Sequence, residues 1–238
     1  MAVKGIVHKK ELKDKDDRPV RPKRYDHLFL IVCEDQKSEP FYFNGFVKEF
    51  PDKTVFLRAV GTGRNYKGVV EQTVIERTKL YEEAGKHVDE VWSVFDKDDA
   101  QKSQGNTARF VDAFTLAKKQ KIKVAYSNEV FELWLLLHFI SVPANTPIAR
   151  QDIYNMLTTE IRAYQGYDTF EYEHAGLEIF KPLQEMGSES DAINRAEKLY
   201  SEHIKMDNSP LEANPSTTVH ILVKRLRELI EWYNHTPS

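Results

Sequence analysis

A single cysteine, Cys33, in 238 residues excludes an internal disulfide framework and a zinc module built on several thiolates. It sits inside an apolar run, where a thiol is buried and inert and makes a poor nucleophile. Long hydrophobic runs are also missing. Neither Leu28 to Cys33 nor the later run Leu133 to Leu137 can span a bilayer, and the opening MAVKGIVHKKELKDKDDRPVRPKRY has no apolar stretch of signal-peptide length. No large charge of one sign is present either. The formal charge is −3 with 30% charged residues, and the mean hydropathy is −0.56, so any nucleic-acid affinity must be local. There is no internal repeat and no Ser/His/Asp order that suggests a hydrolytic triad. The expectation is a soluble protein of a reducing compartment, the cytoplasm, long enough for one large domain or a core with a sizeable helical addition.

The charge that is present is unevenly spread. Residues 1–25 hold nine Lys/Arg against four acids, which makes this segment +5 and leaves −8 for the rest. With two prolines and almost no core-forming residues, it reads as a flexible basic tail. Such a tail contacts nucleic-acid phosphates or an acidic partner, or simply keeps the protein soluble.

After the tail, strand and helix patterns alternate through residues 26–140. HLFLIVCED is a continuous apolar run ending in acids, the pattern of a strand buried on both faces of a parallel sheet. SEPFYFNGFVKEF predicts a helix with Ser38 as N-cap, Pro40 in the first turn, and Phe41, Phe43, Phe46, Val47 and Phe50 facing the core. TVFLRAV is the second strand. GTGRNYKGVVEQTVIERTKLYEEAG is a glycine-bearing loop and a long helix with Val69, Val70, Val74, Ile75 and Leu80 inward. VDEVWSVFDKDD is the third strand, again ending in acids. A helix near 106–120 leads to the fourth strand, IKVAYS. Strands alternating with helices predict an α/β, Rossmann-like parallel sheet flanked by helices. From VFELWLLLHFI onward the pattern is helical, with helices near 150–164, 189–205 and 217–234, so residues 141–238 read as a helical C-terminal extension packed on the core.

In open parallel sheets reactive groups gather beyond the carboxyl ends of the strands, where the strand order reverses. Glu34 and Asp35 follow the first strand, and Asp96, Asp98 and Asp99 the third. In a 2-1-3-4 order these two strands are neighbours. Three carboxylates at one mouth repel unless a cation neutralises them, and a hard divalent ion with oxygen ligands, Mg²⁺ or Mn²⁺, answers that need. The chemistry served by such a site is phosphoryl or phosphodiester transfer. Acidic strand ends also occur as solvated loop starts.

FLIVCEDQKSEPFYF, GTGRNYKGVVE, SVFDKDD, YSNEVFELWLLLHF and NPSTTVHILV, in this order over roughly residues 25–230, resemble the RloB family of phage-resistance proteins. The resemblance implies a Toprim-like nuclease fold, with Glu34, Asp96 and Asp98 as metal ligands and Asp99 assisting. It places Glu132 near the same mouth, as a further ligand or a water-orienting group; a helix-terminus carboxylate is the plainer reading. It further implies a metal-dependent endonuclease acting on DNA or RNA, tRNA included, as the effector of an abortive-infection system with a partner ATPase. The chain departs from the family at Asp35, where a glycine is common.

Other residues have two readings each. Lys37 contacts a scissile phosphate or is a solvated lysine in a first helical turn, while Arg64 and Lys67 in the glycine-bearing loop are the better phosphate contacts. His138, six residues after Glu132, is a core histidine; His174, His203 and His220 are scattered, and Trp92, Trp134 and Tyr126 belong to the core. Two alternatives compete with a nuclease. One is a receiver-like Mg²⁺-binding switch, imitated by Ser127 and Lys181–Pro182, although Lys181 lies beyond a long helical insertion. The other is a catalytically silent regulatory module whose acids bind a structural metal.

Overall fold

The first strand, β1 (His27–Cys33), shows why the sheet forms where it does. Every residue from Leu28 to Cys33 is 0% exposed. Successive side chains of a strand point to opposite faces, so burial of all six requires cover on both sides. Phe29, Ile31 and Cys33 belong to one apolar cluster and Leu28, Leu30 and Val32 to another.

The structure is a computed structural model and describes residues 21–98 and 100–235. Four strands form one parallel sheet in the order β2-β1-β3-β4, with β2 at Val55–Gly61, β3 at Glu90–Asp96 and β4 at Lys123–Ser127. This is the expected α/β, Rossmann-like arrangement. Cys33 pairs with Gly61 on one side and Val94 on the other, which brings the carboxyl ends of β1 and β3 level. The switch of strand order falls between them.

One face of the sheet is covered by α2 (Lys67–Ala84) and α3 (Gln104–Gln120), through Val69, Val70, Leu80, Phe110, Ala113 and Ala117. Ser103 caps α3 by accepting the Asn106 N–H at 3.1 Å, which starts that helix two residues earlier than the sequence pattern placed it. The other face receives α1 (Ser38–Asn44) and the helical second half of the chain. That half contains α4 (Glu132–Leu136), α5 (Arg150–Arg162), α6 (Phe180–Met186), α7 (Glu189–Lys205) and α8 (Val219–His235). Leu133, Trp134, Leu157, Ala196, Leu222 and Leu226 share one cluster with Phe29 and Ile31 of the sheet. Each fully buried Leu or Phe of this kind stabilises the fold by about 1.5–3 kcal/mol relative to an exposed one.

Several local expectations are corrected. Ser38 is the first residue of α1 rather than its cap; Asp35 does the capping, as described below. Within α1, Phe41 and Phe43 stand two residues apart and point to opposite sides, so Phe43 is buried and Phe41 exposed; the helix then changes to a 3-10 turn at Gly45–Glu49, where Phe46 is buried, as is Phe50 after it, and Val47 faces solvent. Ile75 is likewise exposed on α2. The apolar run after Glu129 forms only a five-residue helix, and the short α6 had no periodicity long enough to announce it. Order begins before residue 26: Pro22–Arg24 form a 3-10 turn, Pro22 is buried, and Tyr25 packs edge-on against Phe56 with ring centroids 5.4 Å apart. Residues 1–20 and Asp99 lie outside the described residues. Among the described residues no helix is long and apolar enough to cross a membrane.

Candidate active site at the carboxyl ends of β1 and β3

The register of the sheet delivers Glu34 and Asp96 to adjacent positions. The Glu34 N–H donates to Val94 O at 2.9 Å, continuing the ladder one residue past β1, and the Asp96 N–H donates to Glu34 Oε2 at 3.2 Å. The Tyr66 N–H, from the glycine-bearing loop, also donates to the Glu34 carboxyl. That loop is held against the strand end by Gly63 N–H to Glu34 O at 2.8 Å and Thr62 Oγ1 to Cys33 O at 2.9 Å. Gly61 is required here, because a side chain at this position would collide with the Asp35 carbonyl and the Gln36 backbone.

Asp35 is not an active-site acid. Its Oδ2 accepts from the Ser38 N–H, the Ser38 hydroxyl at 2.8 Å and the Lys37 N–H at 2.9 Å, closing the turn into α1. Burial opposes its charge, but the hydrogen bonds from Ser38, Lys37 and Gln36 prevail and hold its carboxyl below the ordinary value. Asp35 is not among the residues with positive φ, so the position does not require the family's glycine.

Asp96 and Asp98 flank Lys97, whose side chain turns away, is buried, and pairs with Glu129 at 2.9 Å. Asp98 adopts a left-handed φ of +44°, a conformation aspartate tolerates. A carboxyl–carboxyl hydrogen bond links it to Glu34, and its Oδ1 lies 2.6 Å from Arg150 of α5. Asp96 Oδ2 accepts the Phe131 N–H at 2.9 Å, whereas its Oδ1 is buried without a partner.

Two more carboxylates complete the cluster. Glu132, at the start of α4, is buried, accepts the Tyr172 hydroxyl, and has His174 Nδ1 3.8 Å from its Oε1. Tyr154 of α5 shares a 3.0 Å hydrogen bond with His174. Glu39, not singled out from the sequence, is 1% exposed; its Oε2 accepts the Asp35 N–H at 3.0 Å and its Oε1 is buried without a partner. A first-turn glutamate normally reads as solvated, and the one local hint is its place between Ser38 and the apolar Pro40–Phe43.

Electrostatics bind the five acids together. Burial, then repulsion from Asp98, pushes the Glu34 carboxyl up to about 8. Burial, then Glu39, Asp98, Glu34 and Glu132, raises Asp96 far above the carboxylate range. Glu39 is raised by burial and by Glu34, and Glu132 by burial against the opposing Tyr172 hydrogen bond. Acids held this close and this dry cannot all ionise without a cation.

The donor set fits a hard divalent ion: all donors are carboxylate oxygens, and two of them, on Asp96 and Glu39, are buried and unpartnered. Among the described residues, no three His, Cys, Asp or Glu side chains are already arranged to hold an ion. The partners explain this, since Asp98 is turned to Arg150 and one Asp96 oxygen to the Phe131 N–H.

The proposed phosphate contacts separate. Arg64 is exposed in the loop beside Glu34, and Lys37 is exposed in the turn after it. Lys67 instead pairs with Asp112 of α3 at 3.1 Å. The residues that imitated a receiver do not assemble either. Ser127 is buried and bonded to Thr217 at 3.0 Å, and Lys181 is exposed, 4.0 Å from Glu185. His138 is a core histidine bonded to Trp134 O at 2.9 Å, and burial holds it down to about 4.

The model of a protein family described as RloB-like protein matches residues 29–226. No curated protein and no solved structure matches the chain.

Proposed function

Since the chain belongs to the RloB-like family, which is consistent with a defence-related role, we propose that it is a metal-dependent endonuclease acting as the effector of an anti-phage system. The observation that carries this reading is the carboxylate cluster Glu34, Glu39, Asp96, Asp98 and Glu132, buried at Glu39 and Glu132 and opening to solvent at Asp98, at the switch point of a parallel sheet. The arrangement would be that of a Toprim-like nuclease. Glu34, Asp96 and Asp98 would hold Mg²⁺ or Mn²⁺, with Glu39 and Asp99 as further candidates. When bound, the ion supplies charge neutralisation at the phosphate and an activated water.

The protein's own residues do the rest. The Asp96 and Tyr66 N–H groups fix the Glu34 carboxyl, and the Phe131 N–H fixes one oxygen of Asp96, leaving the other directed at the cluster. Tyr172 holds the Glu132 carboxylate so that it can orient a water. Arg64 and Lys37, exposed at the same edge, contact the substrate backbone. The substrate is DNA or RNA, tRNA cleavage being the form that suits growth arrest, and a partner ATPase restrains or delivers the nuclease.

The test is incubation of the protein, with and without the ATPase, with plasmid DNA and total tRNA in Mg²⁺ or Mn²⁺, using EDTA and Glu34→Ala as controls. Metal-dependent cleavage that disappears in Glu34→Ala is the expected result and identifies the substrate class. An inert protein under every condition, ATPase included, refutes the proposal.

A further inference from the structure

The acid cluster needs a cation, and Arg150 already stands at its edge. Its guanidinium lies 2.6 Å from Asp98 Oδ1, with side-chain exposures of 38% and 32% for the two residues, so the pair opens to solvent and can exchange. The neighbouring cation, Lys97, has no such freedom: its side chain is 4% exposed and is held by Glu129. Arg150 opens α5, and one turn later Tyr154 bonds His174, which lies beside Glu132. The first turn of α5 therefore faces the mouth of the cluster, and a guanidinium leaving Asp98 remains there. Its planar fork of donors matches the oxygens of a phosphate.

From this geometry we infer that Arg150 is the cation carried by Asp98 before a divalent ion binds, and that ion binding releases it to a phosphate of the substrate. The inference rests on the metal-dependent reading above. Arginine and ion compete for one carboxylate, so each weakens the other's hold by the same factor. A phosphate that takes up the released guanidinium favours the ion in turn. Substrate and metal thereby bind cooperatively through one side chain.

The experiment is calorimetric titration of the full chain with Mn²⁺, without nucleic acid, for the wild type and for Arg150→Ala, Arg150→Met, Lys37→Ala and Asp96→Asn. Arg150→Met keeps the apolar stem and guards against a packing defect. Both Arg150 variants are expected to bind Mn²⁺ about fivefold more tightly, the equivalent of losing one partly exposed ion pair. Lys37→Ala removes the same charge from the turn after Glu34, without a bond to Asp98, and is expected to stay within about twofold. Unchanged or weaker Mn²⁺ binding in the Arg150 variants, or an equal gain in Lys37→Ala, overturns the inference. In Ca²⁺, the Arg150 variants should bind labelled oligonucleotides less tightly and with a salt slope lower by about one phosphate contact; undiminished binding also overturns it. Asp96→Asn separates the two levels. If it binds Mn²⁺ as the wild type does, the metal reading itself fails; if it loses Mn²⁺ while the Arg150 variants are unchanged, only the arginine exchange fails.

Discussion

Replacing Glu34 by glutamine is expected to stabilise the protein stripped of divalent ions, and increasingly so as the pH rises. In the folded chain burial and Asp98 raise this carboxyl from 4.5 to about 8, so the fold binds its proton more tightly than the unfolded chain does. The contribution is fully present below pH 4.5, is lost as the unfolded chain ionises, and levels off once the pH passes about 8. Across that window the gap is equivalent to about 5 kcal/mol, of which roughly two thirds has been lost by pH 7. Glutamine reproduces the protonated form: its carbonyl accepts the Asp96 N–H and its amide donates to Asp98, the groups that Glu34 now engages. Urea unfolding in EDTA at pH 5, 6, 7 and 8 measures the effect. The two proteins should differ least at pH 5 and diverge steadily to pH 8, with the variant unable to cleave nucleic acid. Parallel pH dependences for the two proteins would refute the claim that Glu34 is held protonated by its surroundings.

Three further outcomes are expected. Mn²⁺ at a hundred times its dissociation constant should stabilise the wild type by about 2.7 kcal/mol in urea unfolding and leave Asp96→Asn unmoved. Tyr172→Phe removes the hydrogen bond that holds the buried Glu132 and should cost about 1–3 kcal/mol in the same assay, with reduced cleavage. Arg64→Ala should weaken oligonucleotide binding in a fluorescence titration, whereas Lys67→Ala, whose amine pairs with Asp112, should leave it unchanged and shift stability by no more than about 0.5 kcal/mol.

The strands were legible in the sequence because a strand buried on both faces is apolar along nearly all its length: Leu28–Cys33 is apolar throughout, and between Glu90 and Asp96 only Ser93 interrupts the run. That they run parallel followed from the alternation with helices, whereas their order is fixed by tertiary packing; Glu34, Asp96 and Asp98 stood out because charge at the end of such a run has few places to go. The rest of the cluster carried no local signal. Tyr172 and His174 come from an irregular segment, and Arg150 and Tyr154 from a helix whose polar residues look solvated. Only tertiary packing brings them to Glu132. Glu39 was hidden for the opposite reason, since a charged residue in a first helical turn satisfies every local rule. Val47 faces solvent because a change from α to 3-10 winding rotates the faces of a helix without altering its composition, and Phe41 because it stands two residues from the buried Phe43 on the same helix.

The segment 214–218 ties the far end of the chain to the acid cluster. The Thr218 N–H donates to Tyr126 O at 2.8 Å, the Asn128 N–H to Ser216 O at 2.7 Å, and Asn214 accepts the Ile148 N–H at 3.0 Å while reaching Glu129. On a ribosome these residues emerge after every acid of the cluster has already been made. The backbone turn between β4 and α4, which sets Phe131 against Asp96, therefore lacks its support until residues 214–218 have been made. A chain interrupted between codons 132 and 214 carries all five carboxylates without the contacts that brace the turn beside them.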